Sequence, residues 1–120
     1  MSIKRIDHVQ LAMPGGAEAD ARRFYGQVLG LKEIPKPAAL SGRGGVWYEL
    51  GDTQLHLGVD ADFRPAKKAH VGFEVSDLDA MAGRCRSAGH EPRSDGNLDR
   101  RRFFVDDAFG NRLELIEAAS

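Results

Sequence analysis

Two stretches, IDHVQLAM at residues 6–13 and AHVGFEV at residues 69–75, decide how the chain folds. Apolar residues occupy every second position in both, which is the pattern of a β-strand with one buried face. Each strand carries a histidine near its start, His8 or His70, on the side opposite to the apolar residues. The chain is therefore predicted to contain two copies of one plan, each opening with a histidine-bearing strand.

A predicted helix follows each of these strands. The apolar face of the first is formed, at helical spacing, by Ala21, Phe24, Tyr25 and Val28. Gly30 stands where a helix-ending glycine is expected, and Gly89 has the same place after the second helix. Ser76 or Asp77 can cap the second helix, whose apolar face comprises Leu78, Met81, Ala82 and Cys85.

Each half closes with a predicted β-hairpin. The strand pairs are residues 46–50 with 54–59 and residues 102–105 with 112–116. The segment 60–68 is polar and unpatterned, so we interpret it as a linker. This predicts a first module of about residues 3–59 and a second of about residues 69–118, within a single domain of residues 1–120.

Four residues of metal-ligand type fall at equivalent places in the two modules. His8 corresponds to His70, and His56, between two leucines, corresponds to Glu114, also between two leucines. The alternation places all four side chains on the sheet face away from the helices. Zinc, nickel, cobalt, manganese and iron accept imidazole nitrogens and carboxylates. Any one of the four is more simply a polar residue of an amphipathic strand, but their joint pattern predicts a divalent-metal site.

Such a site predicts a type of chemistry. Four protein ligands leave an octahedral ion two open positions, which two neighbouring oxygens of a substrate can occupy. The ion would then polarise a carbonyl or stabilise an oxyanion, as in a lyase or isomerase. Glu114 could act either as a fixed ligand or as a displaceable proton carrier.

Composition and charge narrow the possible partners. Lys plus Arg number 17 against 18 Asp plus Glu, so neither nucleic acid nor an anionic membrane is expected as a partner. No apolar run approaches the roughly 20 residues that cross a bilayer, and residues 1–5 do not resemble a signal peptide. We therefore expect a cytoplasmic protein. The single Cys85 provides neither an internal disulfide nor a thiolate pair for a metal.

The sequence resembles the vicinal-oxygen-chelate superfamily, which includes glyoxalase I, methylmalonyl-CoA epimerase, extradiol dioxygenases and bleomycin-resistance proteins. The resemblance lies in DHV at residues 7–9, FYGQVLGL at 24–31, AHVGFEV at 69–75 and FGNRLEL at 109–115. It implies an α+β fold in which two βαβββ modules form half-barrels. It also implies metal ligands on the first and last strands of each module, at positions matched by His8, His56, His70 and Glu114.

The resemblance leaves the reaction open, because members of one fold differ in chemistry. Bacterial glyoxalase I has a carboxylate where this chain has His56, so activity on the methylglyoxal–glutathione adduct is expected to be weak or absent. The fosfomycin-modifying members use three ligands, and their potassium-binding loop is not found here. A metal-free binding protein of the bleomycin-resistance type and an iron-dependent dioxygenase are the alternatives to a glyoxalase-like enzyme.

Several further residues could contact a small-molecule substrate. Gln10 shares a strand face with His8, Trp47 and Phe103 could form aromatic walls, and Arg43 could hold an anionic group. The run Arg100-Arg101-Arg102 could do the same, although charge runs near turns are usually only solvated. Because half-barrel modules leave sheet edges open, and because relatives pair their modules, we expect a homodimer.

Overall fold

The computed structural model describes residues 1–94, 96 and 99–119. It divides into two compact units, Met1–Arg64 and Pro65–Ser120, and each contains one four-stranded sheet of mixed strand direction. Strands and helices follow each other in the order βαβββ in both units. The predicted α+β fold of two equivalent modules is therefore confirmed.

The first module begins with strand β1 (His8–Met13), helix α1 (Glu18–Ala21) and a π-helical stretch (Arg22–Val28). Strand β2 (Lys32–Ile34), a 3-10 helix (Ala38–Arg43) and the hairpin of β3 (Val46–Leu50) and β4 (Thr53–Val59) complete it. The strands are ordered β1-β4-β3-β2, with β1 parallel to β4 and the other pairs antiparallel. The first and last strands of the module are thus neighbours.

The second module repeats this topology with strand β5 (Val71–Val75), helix α2 (Leu78–Ser87), and strands β6 (Arg93–Ser94), β7 (Arg102–Asp106) and β8 (Arg112–Glu117). The order is β5-β8-β7-β6, and β5 is parallel to β8. Asp77 caps α2, its Oδ1 accepting a hydrogen bond from the Ala80 amide at 3.0 Å. His70 lies immediately before β5.

The structure adds detail in the regions between the predicted elements. The first predicted helix is α-helical for one turn and then π-helical, with Leu29 N–H donating to the Phe24 carbonyl five residues earlier at 2.9 Å. The resemblance implied a further strand after each helix, but β2 and β6 were not located from the sequence, because two or three residues are too short to show a period of two. The 3-10 helix was not predicted either. No helix within the described residues is long and apolar enough to cross a bilayer.

Each module has its own hydrophobic core between its sheet and its helix. In the first, Met13, Tyr25, Tyr48, Leu55 and Leu57 are fully buried. In the second, the buried residues include Leu78, Cys85, Phe103, Val105, Leu113 and Leu115. Each large apolar side chain so buried contributes about 1.5–3 kcal/mol to folding. Every second residue of a strand faces its module's core. The intervening residues of the strand therefore lie on the opposite face of the sheet.

The turn between β7 and β8 is held by a buried carboxylate. Asp107 Oδ1 accepts hydrogen bonds from the backbone amides of Phe109 (2.8 Å) and Asn111 (2.9 Å), and its Oδ2 accepts from Asn111 Nδ2 at 3.0 Å. Asn111 Oδ1 in turn accepts from the Ala66 amide at 2.9 Å. These bonds determine where β8 begins and therefore where Glu114 stands on it.

Candidate functional site

The structure arranges the four predicted ligands as two equivalent pairs, one on the open face of each sheet. In the first module Gln10 of β1 is opposite His56 of β4, and His8 is two residues before Gln10 on the same face. In the second, Gly72 is opposite Glu114, and His70 is two residues before Gly72. Within neither module do the described residues gather three His, Cys, Asp or Glu side chains into a cluster sized for an ion.

In the second module, His70 and Glu114 are in direct contact. His70 Nε2 lies 2.8 Å from Glu114 Oε1. His70 Nδ1 donates to the Lys68 backbone carbonyl at 2.8 Å, and this bond directs Nε2 toward the carboxylate. The Lys68 carbonyl and the carboxylate together raise the pKa of His70. Without a metal, both contacts therefore favour the protonated form of the His70 ring.

Arg102 holds the other oxygen of the same carboxylate. Its Nη1 donates to Glu114 Oε2 at 2.6 Å, and the side chains of Arg102 and Glu114 are 27% and 10% exposed. Burial by itself raises the pKa of Glu114, but the hydrogen bonds from His70 and Arg102 outweigh burial and hold that pKa below its usual range. Glu114 is therefore a fixed anion with one oxygen committed to arginine and one directed at His70.

In the first module, three rings form a stack. The His56 ring lies parallel to Trp47, with centroids 3.7 Å apart and 1° between planes, and the His8 ring lies on its other side at 4.4 Å and 17°. His8 Nδ1 donates to Asp7 Oδ2 at 2.9 Å, so its Nε2 is left as the possible donor atom to a metal. His56 Nε2 donates to Gln54 Oε1 at 2.9 Å. Burial first, and then the neighbouring His8, lower the pKa of His56.

The two pairs fit a metal ion to different degrees. Ligand atoms about 2.0–2.2 Å from an ion stand about 3 Å apart when they are neighbours, close to the 2.8 Å between His70 Nε2 and Glu114 Oε1. A metal lies in the plane of an imidazole that binds it. Because the planes of His8 and His56 are stacked, they cannot share an ion until one ring turns. His56 must also break its hydrogen bond to Gln54 Oε1 if its Nε2 atom is to bind the ion.

Three of the residues predicted to contact a substrate line one hollow. Gln10, Arg43 and Trp47 border a hollow of about 240 Å³ in the first module. Phe103 is 5% exposed and is opposite Leu115, with the core residues, and it borders a separate hollow of about 260 Å³ in the second module together with Arg100, Arg101 and Arg102. The adjacent Phe104 is opposite Glu114 and contacts the His70 ring edge-on at 5.5 Å.

Phe104 is the residue that the sequence interpretation missed, and Arg102 was named only as a possible anion contact within the run Arg100-Arg101-Arg102, not as the partner of Glu114. Phe104 is the repeat equivalent of Trp47, since Trp47 is opposite His56 just as Phe104 is opposite Glu114. Aligning the two hairpins would have revealed it. The sequence does not distinguish Arg102 from its neighbours, because Arg100 and Arg101 have the same side chain. These two pair with carboxylates elsewhere, Arg100 with Glu74 and Arg101 with Asp79.

Comparison with known proteins assigns the chain to one family. The model of the Glyoxalase/Bleomycin resistance protein/Dioxygenase superfamily matches residues 5–115. The crystal structure of a protein from Bacillus anthracis, described as a glyoxalase family protein, superposes with a TM-score of 0.93 at 44% identity, covering 99% of this chain and 98% of that one. No curated protein matches the sequence.

More distant structures share the fold alone. The fosfomycin resistance protein FosX from Listeria monocytogenes has a TM-score of 0.79 at 14% identity, over 98% of this chain and 96% of that one. A glyoxalase/dioxygenase from Nostoc punctiforme has a TM-score of 0.78 at 20% identity, over 98% and 92%. The same scaffold thus occurs in proteins described by different activities.

Proposed function

Because the chain belongs to the glyoxalase/bleomycin resistance protein/dioxygenase superfamily, we propose that it is a metal-dependent enzyme acting on neighbouring oxygens of a small metabolite. The observation that carries the proposal is the contact of His70 Nε2 with Glu114 Oε1 at 2.8 Å. The spacing and donor types suit a divalent cation in place of the shared proton. Zinc, nickel, manganese, cobalt and iron all accept this donor set.

His8, His70, Glu114 and His56 are the proposed ligands. His8 offers Nε2 because Asp7 holds its Nδ1, and His70 offers Nε2 because the Lys68 carbonyl holds its Nδ1. His56 becomes the fourth ligand once its ring has turned out of the stack. The bound ion would supply Lewis-acid polarisation of a substrate carbonyl or oxyanion.

The contacts of Glu114 favour one of its two possible roles. A general base must be able to take up a proton near the working pH. Arg102 and His70 hold the pKa of Glu114 below its usual range, which weakens it as a base. Arg102 also restrains Oε2. We therefore propose Glu114 as a fixed ligand that binds through Oε1, with Arg102 as the residue that positions it.

Metal retention in single-residue variants tests the site. The protein is loaded with excess nickel or zinc, desalted and analysed for metal, and His8→Ala, His70→Ala and Glu114→Ala are treated in the same way. We expect stoichiometric metal in the wild type and loss in all three variants. His90→Ala is the matched control, because His90 is bonded through Nδ1 to the Asp106 carbonyl at 3.0 Å and belongs to neither pair. Failure of the wild type to retain any metal would refute the proposal.

A second candidate, an iron-dependent dioxygenase, is favoured by the present position of His56. With His56 bonded to Gln54 and stacked on Trp47, two imidazoles and one carboxylate remain, which is the ligand set of non-haem iron oxygenases. His56→Ala discriminates between the two. Loss of nickel or zinc in this variant supports four ligands and Lewis-acid chemistry, whereas full retention supports the three-ligand site.

Activity assays complete the test of the reaction class. Nickel- and zinc-loaded protein is assayed on the methylglyoxal–glutathione adduct, for which we expect weak or no turnover because His56 replaces a carboxylate of bacterial glyoxalase I. Iron-loaded protein is assayed with catechols under air. Ring cleavage with matching oxygen uptake, abolished by His70→Ala, would establish the dioxygenase candidate.

A further inference from the structure

A hollow beside the ring stack of the first module has the features of a ligand subsite. Its volume is about 240 Å³, and its walls include Gln10, Lys36, Leu40, Arg43, Trp47 and Val59. Trp47 is shared between the hollow and the stack, because the same indole lies parallel to His56 at 3.7 Å. A molecule in the hollow would therefore contact the same indole ring that stacks on His56.

Two cationic side chains line this hollow. Arg43 ends the 3-10 helix, and within the described residues no carboxylate forms an ion pair with it. Lys36 is half-buried and donates from Nζ to the backbone carbonyl of Gly44. Glu18, the carboxylate near Lys36, accepts a hydrogen bond from the Gly45 amide at 2.9 Å. Arg43 and Lys36 carry two positive charges, whereas Glu18 carries one negative charge and is hydrogen-bonded to the Gly45 amide. The hollow therefore has an excess of positive charge.

The uncharged walls complete a site for a small molecule with an apolar part and a polar end. Leu40 and Val59 are apolar, and Val59 is 38% exposed. Gln10 lies close over Gly58, where an added Cβ would stand only 2.5 Å from the Gln10 Nε2 atom. The absence of a side chain at Gly58 is thus what allows the Gln10 amide to lie across β4 and border the hollow.

We propose that this hollow binds the oxyanion group, a carboxylate or a phosphate, of a small anionic metabolite. Arg43 and Lys36 supply charge-assisted hydrogen bonds to that group, and Gln10 supplies an amide donor. The further step of taking this bound metabolite as the substrate rests on the proposed metal-dependent function. It identifies the substrate class as anionic. The binding of the anion itself needs no metal.

The single tryptophan of the chain makes the hollow directly observable. Because Trp47 is the only tryptophan and lines the hollow, its fluorescence reports binding there. Protein in EDTA at low ionic strength is titrated separately with inorganic phosphate and with malonate, which shows which kind of oxyanion is preferred. We expect a saturable change with at least one of them, and on the order of tenfold weaker binding in Arg43→Gln and in Lys36→Gln, because each loses a charged hydrogen bond.

Arg64→Gln is the matched control, an exposed arginine of the same compact unit, Met1–Arg64, that does not line the hollow. It should bind as the wild type does. The absence of a saturable signal with both anions, or equal affinities in wild type, Arg43→Gln and Lys36→Gln, would overturn the inference. So would binding that appears only after nickel is added and is unaffected by Arg43→Gln, because the anion would then be coordinating the metal. Metal retention is measured without added anion, so failure of the proposed metal site is seen separately.

Discussion

Replacing Arg102 by methionine should destabilise the metal-free protein through Glu114. Arg102 Nη1 donates to Glu114 Oε2 at 2.6 Å, and the Glu114 side chain is only 10% exposed. Methionine keeps most of the apolar stem of arginine but cannot donate to the carboxylate. One oxygen of a nearly buried anion would then lose its partner, while the other would keep His70.

The size of the effect follows from the burial of the two partners. A hydrogen bond to a charged group contributes about 1.5–3 kcal/mol, against about 0–1 kcal/mol for a pair in full contact with solvent. Glu114 is nearly buried and Arg102 is about three-quarters buried. We therefore expect Arg102→Met to lower the free energy of unfolding by about 1.5–3 kcal/mol.

Urea denaturation in EDTA, followed by circular dichroism, measures this loss. Arg101→Met is the matched control, because Arg101 is the preceding residue but pairs with Asp79, whose side chain is 79% exposed. We expect no measurable change in the control. Arg102→Met, Glu114→Gln and the double variant form a thermodynamic cycle, and a coupling free energy near zero would contradict the contact.

The effect of Arg102→Met should depend on pH. The pKa of Glu114 is lower in the folded protein than its ordinary value of 4.5, so its ionised form stabilises the fold at pH values above 4.5. That contribution is lost as the pH falls through the lower, folded-state pKa. The difference between wild type and Arg102→Met should be full at neutral pH and shrink in acid. A difference that grows on acidification would refute the reasoning.

Three further predictions concern other parts of the chain. Gly45→Ala should severely lower the melting temperature, because an added Cβ would stand 2.2 Å from the Leu57 carbonyl oxygen. A melting temperature equal to that of the wild type would contradict this close approach. Cys85 is fully buried and burial raises the pKa of its thiol, so a disulfide reagent should label it only after denaturant is added. Sedimentation should show a homodimer, and mixing His8→Ala with Glu114→Ala should recover metal binding if the ligand pairs come from different chains.

Strand periodicity and internal repetition were sufficient to predict most of the fold and the positions of the proposed ligands. A period of two fixes which face of a strand each residue occupies, so His8 and His56 could be assigned to the open face without coordinates. The second copy of the pattern identified His70 and Glu114 independently. Repetition also predicted a strand, a helix and a hairpin in each half, and the family resemblance implied the additional strand of the βαβββ order.

Tertiary structure decided which neighbours these residues have, because register depends on the partner strand. In the run RRRFFV, a shift of one residue exchanges Phe103 with Phe104 and Arg101 with Arg102, and similar side chains stand at both positions. Pairing with β8 selects Phe104 and leaves Arg102 in reach of Glu114. The ring stack of His56 and the bond of Arg102 to Glu114 are contacts across strands, and a pattern along one strand contains no information about them.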